Sequence, residues 1–154
     1  MKILKTVTSA IAATCLISGT SFAEVDYYKG KSHGETCKVR IYKDFDDNIT
    51  KIKVKGMANL TVAGKYKYKK EWDVLLKADD LTAQSTKRRL GVIWQKNSKF
   101  TSVSHSTKIQ LMVHKNSSKL KSVKASEIWG MGSLKSLRSL ECTNLDAVTY
   151  DLNF

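Results

Sequence analysis

The chain has 154 residues, 27 Lys+Arg against 14 Asp+Glu, and a formal net charge of +13. A hydrophobic share of 42% with no Pro is enough for one packed core, which excludes collagen-like, low-complexity and disordered chains and multi-span helical membrane proteins. The length fits a single domain and leaves no room for a large enzyme.

Residues 1–23 read as a secretory signal peptide rather than as structure. Lys2 and Lys5 form a positive start, Val7 to Ile17 a short apolar run, and Ser21-Phe22-Ala23 a small-residue cleavage site. The apolar run is shorter than the roughly 20 residues that span a bilayer. The context of Cys15 departs from a lipobox. Cleavage after Ala23 would leave a single β domain, 24–154, with the net charge lowered from +13 to +11 by loss of the two lysines. A secreted or periplasmic location is expected.

Export makes Cys37 and Cys142 an even pair, so a disulfide is expected between them. Neither a CxxC spacing nor a paired His supports a metal or redox role.

From Cys37 onward the apolar residues alternate with period 2. Cys37, Val39 and Ile41 form the first such run, and the cluster Asp44, Asp46, Asp47, Asn48 reads as a turn. Ile52 and Val54 alternate with lysines, and Gly56 is expected to end that strand. Leu60 and Val62 lead to Gly64. Tyr66 and Tyr68 follow, then Trp72, Val74 and Leu76. Residues 78–87 read as a polar connection, where Asp79 or Asp80 could cap a helical turn. Leu90, Val92 and Trp94 make the next apolar face, and 96–99 reads as a turn before a short strand at 100–106. Ile109, Leu111 and Val113 precede a turn at 116–118. Residues 119–128 make a strand, and Gly130-Met131-Gly132 a break. Leu134, Leu137 and Leu140 recur every three residues, which suggests one short helix near 133–141. Val148, Tyr150, Leu152 and Phe154 alternate to the end. The sum is an all-β chain of about 8–10 short strands, an antiparallel barrel or sandwich.

The placement of Lys carries the most functional information. Lys38 and Arg40, then Lys51, Lys53 and Lys55, then Lys65, Lys67 and Lys69 fall at alternate positions of three successive strands. If these strands pair as a meander, eight cations share one face, although like charges opposite one another destabilise a sheet. Such a face is either a solvated surface kept soluble by Lys or an anion-binding surface. Period 2 puts Tyr66 and Tyr68 on the opposite face, toward the core. Lys87-Arg88-Arg89 is too short a run to define a nucleic-acid patch.

Motifs for catalysis are weak. His105-Ser106-Thr107 matches half of a two-histidine phosphoesterase pattern, but His33 and His114 supply no second half. There is no GxSxG elbow, and no His spacing for a metal. The Asp44 cluster fails the EF-hand pattern, with Ile49 and Lys55 where Gly and Glu are needed. No catalytic residue, metal ligand or cofactor is therefore assigned. Three sequons, at Asn48, Asn59 and Asn116, matter only in a eukaryotic source.

The C-terminal alternation of Val148, Tyr150, Leu152 and Phe154 resembles the terminal signature of bacterial outer-membrane barrels over seven residues. That resemblance implies an outer-membrane location as an alternative, whereas the early strands carry lysine rows where a lipid-facing strand would be apolar. The sequence thus points to an exported, non-enzymatic β-protein whose basic face meets an anionic glycolipid, an acidic polysaccharide or another polyanion. A small outer-membrane barrel and a small secreted hydrolase are the alternatives. A hydrolase would need a pocket in which His105 or His114 meets a carboxylate.

Overall fold

The computed structural model describes residues 24–77, 82–85, 91–100, 102–114, 117 and 119–149. The signal segment, the Lys87-Arg88-Arg89 run, the Asp79 and Asp80 positions and the final Tyr150–Phe154 alternation lie outside them.

Nine antiparallel strands make up the described residues, with no helix among them. They are β1 (Val25–Ser32), β2 (Glu35–Lys43), β3 (Ile49–Val62), β4 (Lys65–Lys77), β5 (Thr82–Ser85), β6 (Gly91–Phe100), β7 (Val103–Val113), β8 (Leu120–Met131) and β9 (Leu134–Val148). Their order in the sheet is β4-β3-β2-β1-β9-β8-β7-β6-β5. The β1–β2 hairpin is a wedge. Along one half of its length β3 pairs with β2, and β9 pairs with β1. Beyond the hairpin tip β3 pairs with β9 directly, Asn59 opposite Ser139 through Val62 opposite Ser136. Two extra strands at one end and none at the other force the sheet to curl, and its inner face closes over one core.

That core follows the period-2 pattern. Val39, Ile41, Ile52, Val54, Trp72, Val74 and Leu76 are buried from the first half, and Ile109, Leu111, Val123, Ala125 and Leu140 from the second. Burial of this apolar surface, at about 25 cal/mol per Å² removed from water, is the main stabilising term.

Cys37 and Cys142 are bonded, both fully buried, and 105 residues apart in sequence. They lie on β2 and β9, which β1 separates. Flat strands two places apart would be roughly 9–10 Å distant, yet the Cα atoms are 5.9 Å apart. The sheet bends sharply here, and glycine makes the bend possible. A Cβ on Gly30 would lie 3.2 Å from Cys142 Sγ and 2.9 Å from Leu145 Cδ2. One on Gly56 would lie 2.8 Å from Cys37 Cβ. Opposite Gly30, β9 carries a bulge, with Lys29 paired to Asp146 and Lys31 to Thr143, and Asn144 in the left-handed region at φ 53°.

Turn chemistry fixes the registers. His33-Gly34 and Ala63-Gly64 both have positive φ at two successive residues, as a type I′ hairpin requires. Asp44 organises the β2–β3 turn. Its Oδ1 accepts the N–H of Asp46 and of Asn48, both at 2.9 Å.

Several local expectations are corrected. Residues 133–141 form a hairpin turn and the start of β9, not a helix, because Leu134 and Leu137 pair with Met131 and Ile128 across β8. Gly56 lies within β3, and 96–99 lies within β6. Part of the polar 78–87 stretch is a strand, β5.

Candidate functional site: a basic sheet face and a tethered histidine

Inward burial of Val39, Ile41, Ile52 and Val54 turns their neighbours outward. The registers then stack cations in rows across the outer face. In one row Lys29 opposes Lys38 and Lys38 opposes Lys55, with Asp146 beyond Lys29 and Asp73 beyond Lys55. In the next, Tyr27, Arg40, Lys53 and Leu75 lie side by side, and in a third Tyr42, Lys51 and Lys77.

The aromatic rings of this face interleave with its cations. The Arg40 guanidinium lies over Tyr27, 5.1 Å from the ring centroid, and Lys51 Nζ over Tyr42 at 3.7 Å. Two acids of β4 border it. Lys53 Nζ is 3.1 Å from Asp73, and Lys55 Nζ 3.1 Å from Glu71. These exposed pairs offset part of the repulsion and contribute little to stability. On the other face of the sheet, near Tyr28, Asp26 binds Lys43 at 2.8 Å, and that hydrogen bond raises the Lys43 pKa above its ordinary value.

Of the eight cations that the sequence places together, Lys38, Arg40, Lys51, Lys53 and Lys55 do share this face. The β4 lysines do not all join them. A bulge pairs Leu60 with Tyr68 but Thr61 with Tyr66, so Lys67 is the extra residue. Lys69, opposite Asn59, keeps the parity of the basic rows, whereas Lys65, opposite Val62, takes the other face. Both tyrosines are more than half exposed, at 59% and 51%, rather than packed in the core. The strands run past the end of the core here, and Tyr66 hydroxyl donates to Asn59 at 3.1 Å instead. Lys29 and Lys77 belong to the face and are missed by the sequence pattern. Lys29 was out of reach because β1, with Tyr27 and Tyr28 adjacent, shows no clean alternation.

A second constellation lies on the inner face of β7, β8 and β9, beyond the core. His105 Nε2 is hydrogen-bonded to Glu127 Oε1 at 2.8 Å. Arg138 Nη1 is 3.7 Å from the other Glu127 oxygen. Ser98 Oγ lies 3.4 Å from His105 Nδ1. The Arg138 guanidinium is flanked by Trp72 and Trp129, at 5.5 and 5.7 Å from their ring centroids. Registers explain the meeting: His105 opposes Trp129, and Glu127 opposes Arg138. No local motif announces it, since Ser98, His105, Glu127 and Arg138 come from four different strands.

His114 lies elsewhere, in a groove of about 820 Å³ over β7–β9 with Lys121, Lys124, Glu141 and Asp146, where two cations are balanced by two acids. Among the described residues no group of three or more His, Cys, Asp or Glu side chains is placed to hold a metal ion. No helix among them is long and apolar enough to cross a membrane. Comparison with protein families, with curated proteins and with solved structures finds no match to this chain.

Proposed function

We propose that this is an exported, periplasmic binding protein whose β1–β4 outer face holds an anionic envelope component, such as an anionic glycolipid or acidic polysaccharide. The observation that carries the reading is the run Lys29–Lys38–Lys55, three cations directly opposite one another on adjacent strands. Such pairing costs stability; neighbouring acids such as Glu71 at Lys55 offset part of it, and an anion laid across the rows lowers it further. The signal-like segment 1–23 and the buried disulfide support export. Lys predominates over Arg on the face. Its point charge lacks the bidentate fork that reads a fixed phosphate geometry, so the binding is electrostatic and loosely specific. Along the core-covering part of β2 and β3 the apolar side chains point inward and Lys38, Arg40, Lys51, Lys53 and Lys55 outward, which favours this reading over a lipid-facing barrel.

The test is elution from immobilised heparin along a salt gradient. Wild type is compared with a Lys51→Glu, Lys53→Glu, Lys55→Glu variant and with a Lys119→Glu, Lys121→Glu, Lys124→Glu variant of equal net charge. The reading expects the first to elute at much lower salt than the second, because exposed contacts are screened over about 10 Å at 0.1 M salt. Equal elution of the two variants makes the retention a matter of net charge and overturns the assignment to this face.

A second reading, a small secreted hydrolase, draws on the Ser98–His105–Glu127 chain, in which a hydroxyl, an imidazole and a carboxylate lie within reach of one another. Turnover of an activated ester that is lost in Ser98→Ala and in Glu127→Gln would support it. Rates equal to those of the buffer would exclude it.

A further inference from the structure

Among the described residues, one end of the molecule brings together several hairpin turns, most of the exposed apolar side chains and a one-sided positive charge. The turns β3–β4, β6–β7 and β8–β9 all lie there. Val62 pairs with Ser136, Ser104 with Gly130, and the Ala63 N–H donates to the Lys135 carbonyl at 3.2 Å. The hairpins project past the core, so both of their faces are open. Of the large apolar side chains exposed among the described residues, all but Phe45 and Leu75 belong to this end. Tyr68, Val103, Met131 and Leu134 stand on the inner face of the strands. Tyr66, Ile128 and Leu137 stand on the outer face. Leu134 and Met131, which flank the Gly132-Ser133 turn, are 65% and 53% exposed.

The charge of this end is one-sided. Lys65, Lys67, Lys69, Lys96, Lys99 and Lys135 are all exposed. Within 59–69, 96–107 and 127–139 the only acid is Glu127, already bound to His105 and Arg138. A cluster of exposed apolar side chains marks an interaction site, and on both faces this one is interspersed with lysines.

We propose that this end docks into the surface of an anionic lipid layer. Leu134, Met131 and Val103 enter the boundary between headgroups and acyl chains, while Lys99, Lys135, Lys65 and Lys67 lie against the headgroup phosphates. The tyrosines, apolar in body and polar at the tip, fit the interface itself. Apolar insertion and electrostatic attraction act together in surface binding of this kind. A soluble polyanion would satisfy the lysines and leave the leucines in water, and a second copy of this chain would bring like charge against like. The charge pattern therefore selects an anionic membrane surface. The inference rests on the reading of an exported protein with an anionic partner and names where and how the lipid form of that partner is met.

The experiment uses co-sedimentation with vesicles of phosphatidylcholine alone and of phosphatidylcholine mixed with phosphatidylglycerol. Wild type is expected to sediment with the mixed vesicles only, and less as salt rises. Met131→Ser with Leu134→Ser, which leaves the charge unchanged, should weaken that binding about tenfold or more while leaving heparin elution unchanged, since both side chains are exposed in the free protein. The charged pair, Met131→Asp with Leu134→Asp, should weaken it further, and its melting temperature is measured because the two carboxylates stand opposite one another across β8 and β9. Undiminished vesicle binding by both pairs overturns the proposal. So does wild type that is retained on heparin but ignores the mixed vesicles, an outcome that leaves the basic-face reading standing. A wild-type dimer that the aspartate pair converts to monomer also overturns it, by assigning the end to self-association.

Discussion

Removing the disulfide tests whether the curl of the sheet is held by Cys37–Cys142. The perturbation is the double variant Cys37→Ala, Cys142→Ala. The bond closes a span of 105 residues, and a loop of that size restrains the unfolded chain by roughly 4.7 kcal/mol in the chain-entropy model. Residual structure in the unfolded chain reduces the figure, so a loss of about 3–4 kcal/mol is expected. Both cysteines are fully buried, Cys142 beside Gly30 and Cys37 beside Gly56, so removing the sulfurs also leaves a small void that works in the same direction. Urea unfolding followed by far-UV circular dichroism measures the loss, and the melting temperature should fall by about 10 °C or more. The same burial means that a mild thiol reductant should not cut the bond until denaturant opens the fold. A loss below about 1 kcal/mol, or ready reduction under native conditions, would refute the reasoning.

Two further predictions follow from local geometry. Gly56→Ala puts a Cβ 2.8 Å from Cys37 Cβ and 3.2 Å from Leu140 Cδ1, and should cost about 1–3 kcal/mol by urea unfolding, as overpacking does, whereas Ala at the equally buried site next door, Ala58, is already native. The hydrogen bonds that Asp44 accepts, that from the Asn48 N–H first, lower its pKa below the ordinary aspartate value. Its contribution to the β2–β3 turn is therefore present above the unfolded pKa and lost as pH falls through the depressed folded one. Carboxyl NMR titration should find Asp44 protonating below the ordinary aspartate value, and Asp44→Ala should lower stability at neutral pH but not at strongly acid pH.

The all-β architecture and the inward set of the early strands were legible because a period of 2 survives wherever one face is buried and the other wet. Val39, Ile41, Ile52, Val54, Val74 and Leu76 all obey it. The pattern fails where the strands leave the core. Around Tyr66 and Tyr68 neither face is buried, so alternation no longer encodes direction, and the bulge at Lys67 reverses the parity of Lys65 and Tyr66 relative to the rest of β4. The spacing of Leu134, Leu137 and Leu140 mimics a helix for the same reason. Only Leu140 reaches the core, while the other two are exposed at the projecting end. The His105–Glu127–Arg138 chain was illegible for a different reason, because it depends on the registers of three long strands. The wedge of the β1–β2 hairpin is likewise a long-range outcome. Only its glycines hint at it, and a glycine in a sequence does not say what passes over it.

The account turns on where an anion sits, and lysine acetylation footprinting locates it. The protein is treated with an acetylating reagent at low salt, with and without heparin, and the modified peptides are quantified by mass spectrometry. The account predicts protection of Lys29, Lys38, Lys51, Lys53, Lys55 and Lys77, with Lys119, Lys121 and Lys124 modified as before. Protection spread evenly over all lysines, or concentrated on Lys119, Lys121 and Lys124, would contradict it.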